Sequence, residues 1–174
     1  MKQLAYIIEE LSHNKGVMLE LFRDVPREVF TWKQAPDKWC LLEIVCHLYD
    51  EECEDFRARI RHVLETPDEP LPAIDPQGWV TLRNYMQQNY DMMLNKFLAE
   101  REDSIVWLKS LSSPDWTRAY NHPKFGSMSA ELFLVNWLAH DHLHIRQITR
   151  LKYDYLKAHS QVQLNYAGDW QVPG

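Results

Sequence analysis

Phe133–Leu151 reads FLVNWLAHDHLHIRQITRL, a helix-length apolar run carrying three histidines, His140, His142 and His144. At about 100° per residue on an α-helix, His140 and His144 share a face one turn apart, while His142 points roughly the opposite way. Trp137, Ile148 and Leu151 set apolar side chains at helical spacing around the pair. Imidazoles at i and i+4 are a common way for one helix to offer two nitrogens to a single metal ion. A metal centre of this kind needs further ligands from elsewhere in the chain.

The surrounding sequence predicts three more long helices. Ser127 or Ser129 can cap the histidine helix. Glu131 then suits the positive end of its dipole, and the apolar pattern carries it to about Leu156. From about residue 160 the chain reads as a tail. Before the helix, Ser113–Gly126 is a break, and a helix is expected from Gly78 or Trp79 to about Arg101, with Glu102–Leu111 extending it or forming a short helix of its own. Thr66–Pro76, TPDEPLPAIDP, holds four prolines and must be a surface loop. Asp37 is a candidate cap for a helix from Trp39 to Leu64, whose apolar side includes Leu41, Ile44, Val45, Leu48, Phe56, Ile60 and Val63 and contains His47. Asp24–Asp37 is a connection with a short helical turn. Residues 3–23 place Leu4, Ile7, Leu11, Met18 and Phe22 on an amphipathic stripe. Four long helices with long connecting segments make an all-α four-helix bundle, one domain over residues 1–174.

The chain's 174 residues suit one well-buried domain, and 45% hydrophobic content argues for a packed core. A net charge of −6 leaves no global footprint for nucleic acid. No apolar run approaches the roughly 18 residues of a membrane helix, and MKQLAYIIEELSHNK has no uninterrupted apolar segment of the secretory kind. Cys40, Cys46 and Cys53 match neither a disulfide framework nor a C-x-x-C pair. They read as core or near-core thiols in a reducing cytoplasm. Seven tryptophans leave aromatic surface to cover, and a homodimer would cover part of it.

Buried neutral histidines must satisfy two ring nitrogens each. His47, His140 and His144 converging on a metal would satisfy one apiece. Alternatively, His47 packs in the core while the other two bond backbone or water; spacing alone leaves both readings open. A carboxylate-bridged two-metal bundle is disfavoured, because only Glu10–His13 matches the Glu-x-x-His pattern that such sites repeat.

DKWCLLEIVCHLYDEE, followed about 90 residues later by NWLAHDHLHIRQI, resembles the DinB-like (DinB/YfiT) superfamily of metal-dependent four-helix-bundle proteins. Trp39, Glu43, His47, Leu48 and Glu52 (or Glu51) match its first motif; His140, His144, Gln147 and Ile148 match its second. Ile145–Arg146 departs from the small residues frequent there. The resemblance implies one divalent metal held by His47, His140 and His144. It also implies a small-molecule substrate, since relatives include transferases acting with low-molecular-weight thiols and a thiol-using maleylpyruvate isomerase.

Three neutral imidazoles would leave a divalent ion its full charge and an open position, able to activate water or a thiol. Zinc and nickel suit such a site foremost, with copper and iron also compatible. Asp50 and Glu51, at i+3 and i+4 from His47, are candidates for orienting ligands or moving a proton. Arg146 is a candidate clamp for a substrate carboxylate. For all three the plain alternative is solvated helix surface, and Asp141 reads as surface or an ion-pair partner. The expected function is a metal-dependent enzyme, a thiol-dependent S-transferase or a hydrolase. The competing reading is a non-catalytic metal-binding or stress-response module, favoured by the lack of a clear acid or base beyond the histidines.

Overall fold

The computed structural model describes residues 2–170; Met1 and the last part of the expected tail, 171–174, lie outside the described residues. Helix α1 (Lys2–Phe22) buries Leu4, Ile7, Leu11, Asn14, Met18 and Phe22, a stripe at three- and four-residue spacing. It ends where Asp24 turns left-handed (φ 54°). The connection that follows contains the expected turn of helix, α2 (Arg27–Phe30).

The second long helix is interrupted. Helix α3 (Leu41–Glu54) is capped by Cys40, whose backbone N–H donates to Glu43 Oε2 at 2.9 Å, and not by Asp37. It stops at Asp55 (ψ −100°), after which α4 (Phe56–Glu65) continues. Four carboxylates within Glu51–Asp55 would crowd the negative end of the first segment. Asp55 instead leaves the helical region to head the next segment, where its carboxylate pairs with Arg59 one turn on.

The third helix also differs from expectation. A short α5 (Pro76–Leu82) is capped by Asp75, which accepts from Gly78 N–H at 3.0 Å. Asn84 then turns left-handed (φ 49°), and a 3₁₀ turn (Tyr85–Gln87) leads to α6 (Tyr90–Ser110). The Asn89 side chain accepts from Met92 N–H at 2.8 Å. Two asparagines, one suited to the left-handed region and one to a helix start, thus divide a continuous apolar pattern. Residues 102–110 do extend α6.

The expected break before the last helix contains a hairpin, β1 (Ala119–His122) with β2 (Gly126–Ser129), antiparallel with His122 opposite Gly126. Four-residue strands are too short to display a period-2 pattern. Gly126 takes the left-handed conformation (φ 75°) that closes a three-residue connection. Helix α7 (Ala130–His159) is capped by Ser129, whose hydroxyl accepts from Leu132 N–H at 3.1 Å. Beyond it the tail folds back, with Trp170 packed 5.1 Å from the Tyr153 ring.

Helix α6 packs on α3 and α1, and α7 packs on α1 and α4, giving a four-helix bundle whose second member is the broken α3–α4 pair. The core has two apolar clusters. Met18, Phe22, Ile44, Leu48, Phe97 and Ile148 belong to one; Leu11, Ile60, Val63, Leu108, Leu134 and Trp137 belong to the other. A buried polar layer separates them, with one residue from each long helix: Asn14, Glu52, Arg101 and Asp141. Among the described residues no helix is long and apolar enough to cross a membrane. Cys40 and Cys46 are buried and Cys53 is half-buried, all three free thiols.

Candidate metal centre

Two helices supply the rings. His47 sits in the second turn of α3, and His140 and His144 lie one turn apart on α7. The His140 Nε2 atom lies 3.3 Å from His47 Nε2 and 3.1 Å from His144 Nε2. One ring nitrogen from each histidine lies within 4.8 Å of the other two. Trp39 packs over His47 at 4.8 Å, and Phe56 over His140 at 5.1 Å. His142 is exposed on the far side of α7, as helical geometry requires.

Burial keeps the rings neutral. It pushes His47 down to about 3, with the neighbouring His144 adding to the shift. His140 falls to about 2 through burial, then through His144, His47 and Arg101. His144 is also lowered by burial, partly opposed by Gln147 and Asp141. Each neutral ring carries one proton, on one of two nitrogens. The Nδ1 atoms of His47 and His144 are buried without a hydrogen-bond partner.

Placing the protons on Nδ1 leaves three Nε2 lone pairs facing one another. Placing them on Nε2 crowds N–H groups together and strands the buried Nδ1 acceptors. A mixed arrangement lets one Nε2–H donate across the 3.1 or 3.3 Å gap, whereas a cation between the Nε2 atoms gives all three lone pairs a partner at once. Tetrahedral ligation at about 2.0–2.1 Å would set ligand nitrogens about 3.3 Å apart, close to the two spacings observed. The cluster is therefore compatible with a metal site.

The groups around the rings differ in reach. Glu51 is buried, with Oε1 3.9 Å from His47 Nδ1, the ring nitrogen that faces away from the cluster. Burial, then Asp55, raises its pKa to about 9. Asp50 does not join the rings: its Oδ2 accepts from Tyr85 O–H at 2.5 Å and its Oδ1 pairs with Arg83 at 2.8 Å. At i+3 it falls on the flank of α3 that faces the 3₁₀ turn, while Glu51 at i+4 stays beside His47. Glu43 completes the cap of α3 and holds Lys33 at 2.7 Å. Arg146 is exposed and shares a shallow pocket with His144 and Gln147.

Glu52 and Asp141 lie behind the cluster and belong to the polar layer. Arg101 bridges them, with Nε 2.9 Å from Glu52 and its two terminal nitrogens 2.6 and 2.8 Å from Asp141. Burial opposes the Arg101 charge, but the two carboxylates outweigh it and hold its pKa above the ordinary arginine value. Burial also raises the Glu52 pKa, against the pull of Arg101. Asn14 donates to Asp141 at 3.2 Å, and Trp137 Nε1–H donates to Glu52 at 3.3 Å. Asp141 is thus an ion-pair partner and fully buried, not a surface group. Arg101 and Asn14 escaped the sequence reading, although Phe97-x-x-x-Arg101-x-x-x-Ile105 places a charge squarely in an apolar stripe.

On one side the rings open to a cavity of about 340 Å³ lined by Lys38, Trp39, His47, Gln77, His144 and Gln147, with Asp37 at its edge. Lys38 and Asp37 pair there at 3.1 Å.

The family model of the DinB superfamily matches residues 10–148. The fold is similar to that of YfiT from Bacillus subtilis, described as a probable metal-dependent hydrolase with an unusual four-helix bundle topology. The two share 18% identity and a TM-score of 0.78, over 88% of this chain and 87% of that one. The chain matches no curated protein.

Proposed function

The chain belongs to the DinB superfamily, and from that premise we propose a divalent-metal-dependent enzyme in which His47, His140 and His144 hold one ion beside the Lys38–Gln147 cavity. The observation that carries this reading is the convergence of three neutral rings, with His140 Nε2 3.3 Å from His47 Nε2 and 3.1 Å from His144 Nε2, and one nitrogen of each ring within 4.8 Å of the other two. A bound divalent ion supplies Lewis acidity that makes a thiol or a water nucleophilic near neutral pH.

The chain's own groups then set the chemistry. Glu51 stands 3.9 Å behind His47 Nδ1, beyond direct hydrogen-bond reach, and a small side-chain shift on metal binding would bring it to accept from Nδ1–H and orient the ring. Trp39 and Phe56 shield two of the imidazoles from water. Lys38, Gln77 and Gln147 offer hydrogen-bond donors at the open side. Among the described lining residues the one carboxylate, Asp37, is paired with Lys38, so these residues supply no strong general base at the open side. A thiol, with an ordinary pKa of about 8.5, ionises with far less assistance than water. Thiol-dependent S-transfer is therefore the leading reaction. Hydrolysis is the second reading, favoured by the described character of the structurally similar YfiT.

Elemental analysis of untreated protein should find roughly one divalent ion per chain, lost when any of the three histidines becomes alanine. Conjugation of a low-molecular-weight thiol to 1-chloro-2,4-dinitrobenzene should follow metal content. Metal-free wild-type protein, indifferent to added zinc or nickel, overturns the centre. Thiol-independent ester cleavage would replace transfer with hydrolysis. Metal without turnover of either kind would leave a non-catalytic binding module.

A further inference from the structure

A second cavity, of about 700 Å³, lies on the other side of His140. It has no place in a plain four-helix bundle, because two connecting segments build it. One is the proline-rich strap 66–75, tied down by Arg59, which donates to Pro72 O at 3.3 Å, and by a 2.9 Å contact between His62 Nε2 and Glu69 O. The other is the β1–β2 hairpin, anchored where Arg118 donates to Leu64 O at 2.6 Å. Phe56, Leu71, Ile74, Met128, Leu132 and Phe133 supply apolar walls.

Three features describe what the chamber would accept. Its charged residues, Asp55 and Arg59, pair with each other, and Arg59 also lies 5.8 Å over the Phe133 ring, so the lining presents no net charge. The volume is that of a small-molecule site, within the usual range of about 300–1,000 Å³. One directed donor stands at the hairpin. His122 Nδ1 accepts from the backbone N–H groups of Lys124 (3.0 Å) and Phe125 (3.2 Å), so the neutral ring must carry its proton on Nε2.

The chamber also adjoins the metal centre. Phe56 is a wall of the chamber and packs on His140 with ring centroids 5.1 Å apart. Asn136, another lining residue, lies one helical turn before His140 on the same face of α7. Phe125 meanwhile sits at the rim 66% exposed, an aromatic surface that a bound apolar molecule would cover.

We propose that this chamber is a small-molecule binding site beside the metal centre, taking an uncharged ligand with a ring-sized apolar body and a hydrogen-bond acceptor that His122 Nε2–H recognises. Occupancy of the chamber itself does not require the metal.

N-phenyl-1-naphthylamine, a neutral apolar fluorophore, tests occupancy on the full chain. It should bind once, with equal affinity in metal-loaded and chelated protein. Ala73→Trp on the strap and Met128→Trp on the hairpin, from opposite walls, should each weaken binding at least tenfold with metal content unchanged. Val162→Ser on the tail should have no effect. Displacement by 2-acetonaphthone should be several-fold better than by 2-ethylnaphthalene, and His122→Phe should erase that preference. In cobalt(II)-loaded protein the bound fluorophore's protons should relax faster than in zinc-loaded protein. Binding indifferent to both tryptophan substitutions overturns the chamber and leaves the metal centre standing. Binding without cobalt-enhanced relaxation overturns the placement of the ligand beside the metal centre. If His140→Ala keeps its full metal content while fluorophore binding persists, the centre fails and the chamber survives.

Discussion

Three imidazoles held neutral in one place make the site sensitive to protons. In the unfolded chain histidine titrates near pH 6.5, whereas in the folded metal-free chain burial keeps His47 down at about 3 and His140 at about 2. As pH falls below about 6.5 the unfolded state takes up protons that the folded state refuses, so stability declines toward the folded pKa values. Chelated protein should therefore lose stability steeply between about pH 6.5 and pH 4 in urea titrations, and a variant with His47 and His140 both changed to glutamine should show a shallower decline in that window. An equal slope would mean that the rings are not held neutral. Glu51 provides a second test at this scale. If it fixes the His47 ring, Glu51→Ala should weaken zinc affinity about 10- to 100-fold, as read by competition with a chelator, while Glu51→Gln retains most of it. Unchanged affinity in Glu51→Ala would reduce Glu51 to a packing residue. The sequence made the His140–His144 pair legible because helical periodicity fixes which residues share a face. It could not separate Asp50 from Glu51, because i+3 and i+4 flank the same face and only the packing of α5 and the 3₁₀ turn against α3 draws Asp50 toward Tyr85 and Arg83.

Helix by helix, apolar spacing located the four members of the bundle, and breaks written in capping chemistry were the parts it missed. The interruptions at Asp55 and Asn84 leave the apolar stripe intact, so periodicity runs straight through them. The hairpin is likewise held by Gly126 and by contacts to α4 that no four-residue pattern announces. Two substitutions probe the helices directly. Gly16 is exposed inside α1, and a Cβ built there meets nothing within 4 Å. Gly16→Ala should stabilise the fold by about 0.5–1 kcal/mol, measurable by chemical denaturation, and a loss of stability would contradict the helix as described. Arg101 is the opposite case, a cation 1% exposed between two carboxylates. Arg101→Met would leave Glu52 and Asp141 buried without their cation and should cost about 3–5 kcal/mol. A loss below about 1 kcal/mol would show that water reaches the layer and that its charges are not truly buried.

At the scale of the whole molecule, the metal centre joins elements that otherwise share little contact. Helix α3 packs chiefly on α6, and α7 chiefly on α1 and α4, while direct packing between α3 and α7 is slight. His47 comes from α3, and His140 and His144 come from α7. An ion on all three would therefore act as a cross-brace between the two halves of the bundle, and its binding free energy would add to folding stability. With free zinc at about 1,000 times Kd, the added stability is about 4 kcal/mol. For a chain of this length each kcal/mol moves Tm by about 2–4 °C, so zinc should raise Tm by roughly 10 °C over chelated protein. His140→Ala should abolish that rise, and the stabilisation should fade as pH drops through the histidine range because protons compete for the same nitrogens. Hydrogen exchange sharpens the expectation: zinc should slow amide exchange in α3 and α7 around the three histidines more than in α6, which supplies no ligand. A uniform slowing would mean that the ion stabilises only global folding. A Tm that does not respond to zinc would remove the brace altogether, leaving the three rings as neutral core residues and the two halves of the bundle held by packing and the Arg101 layer alone.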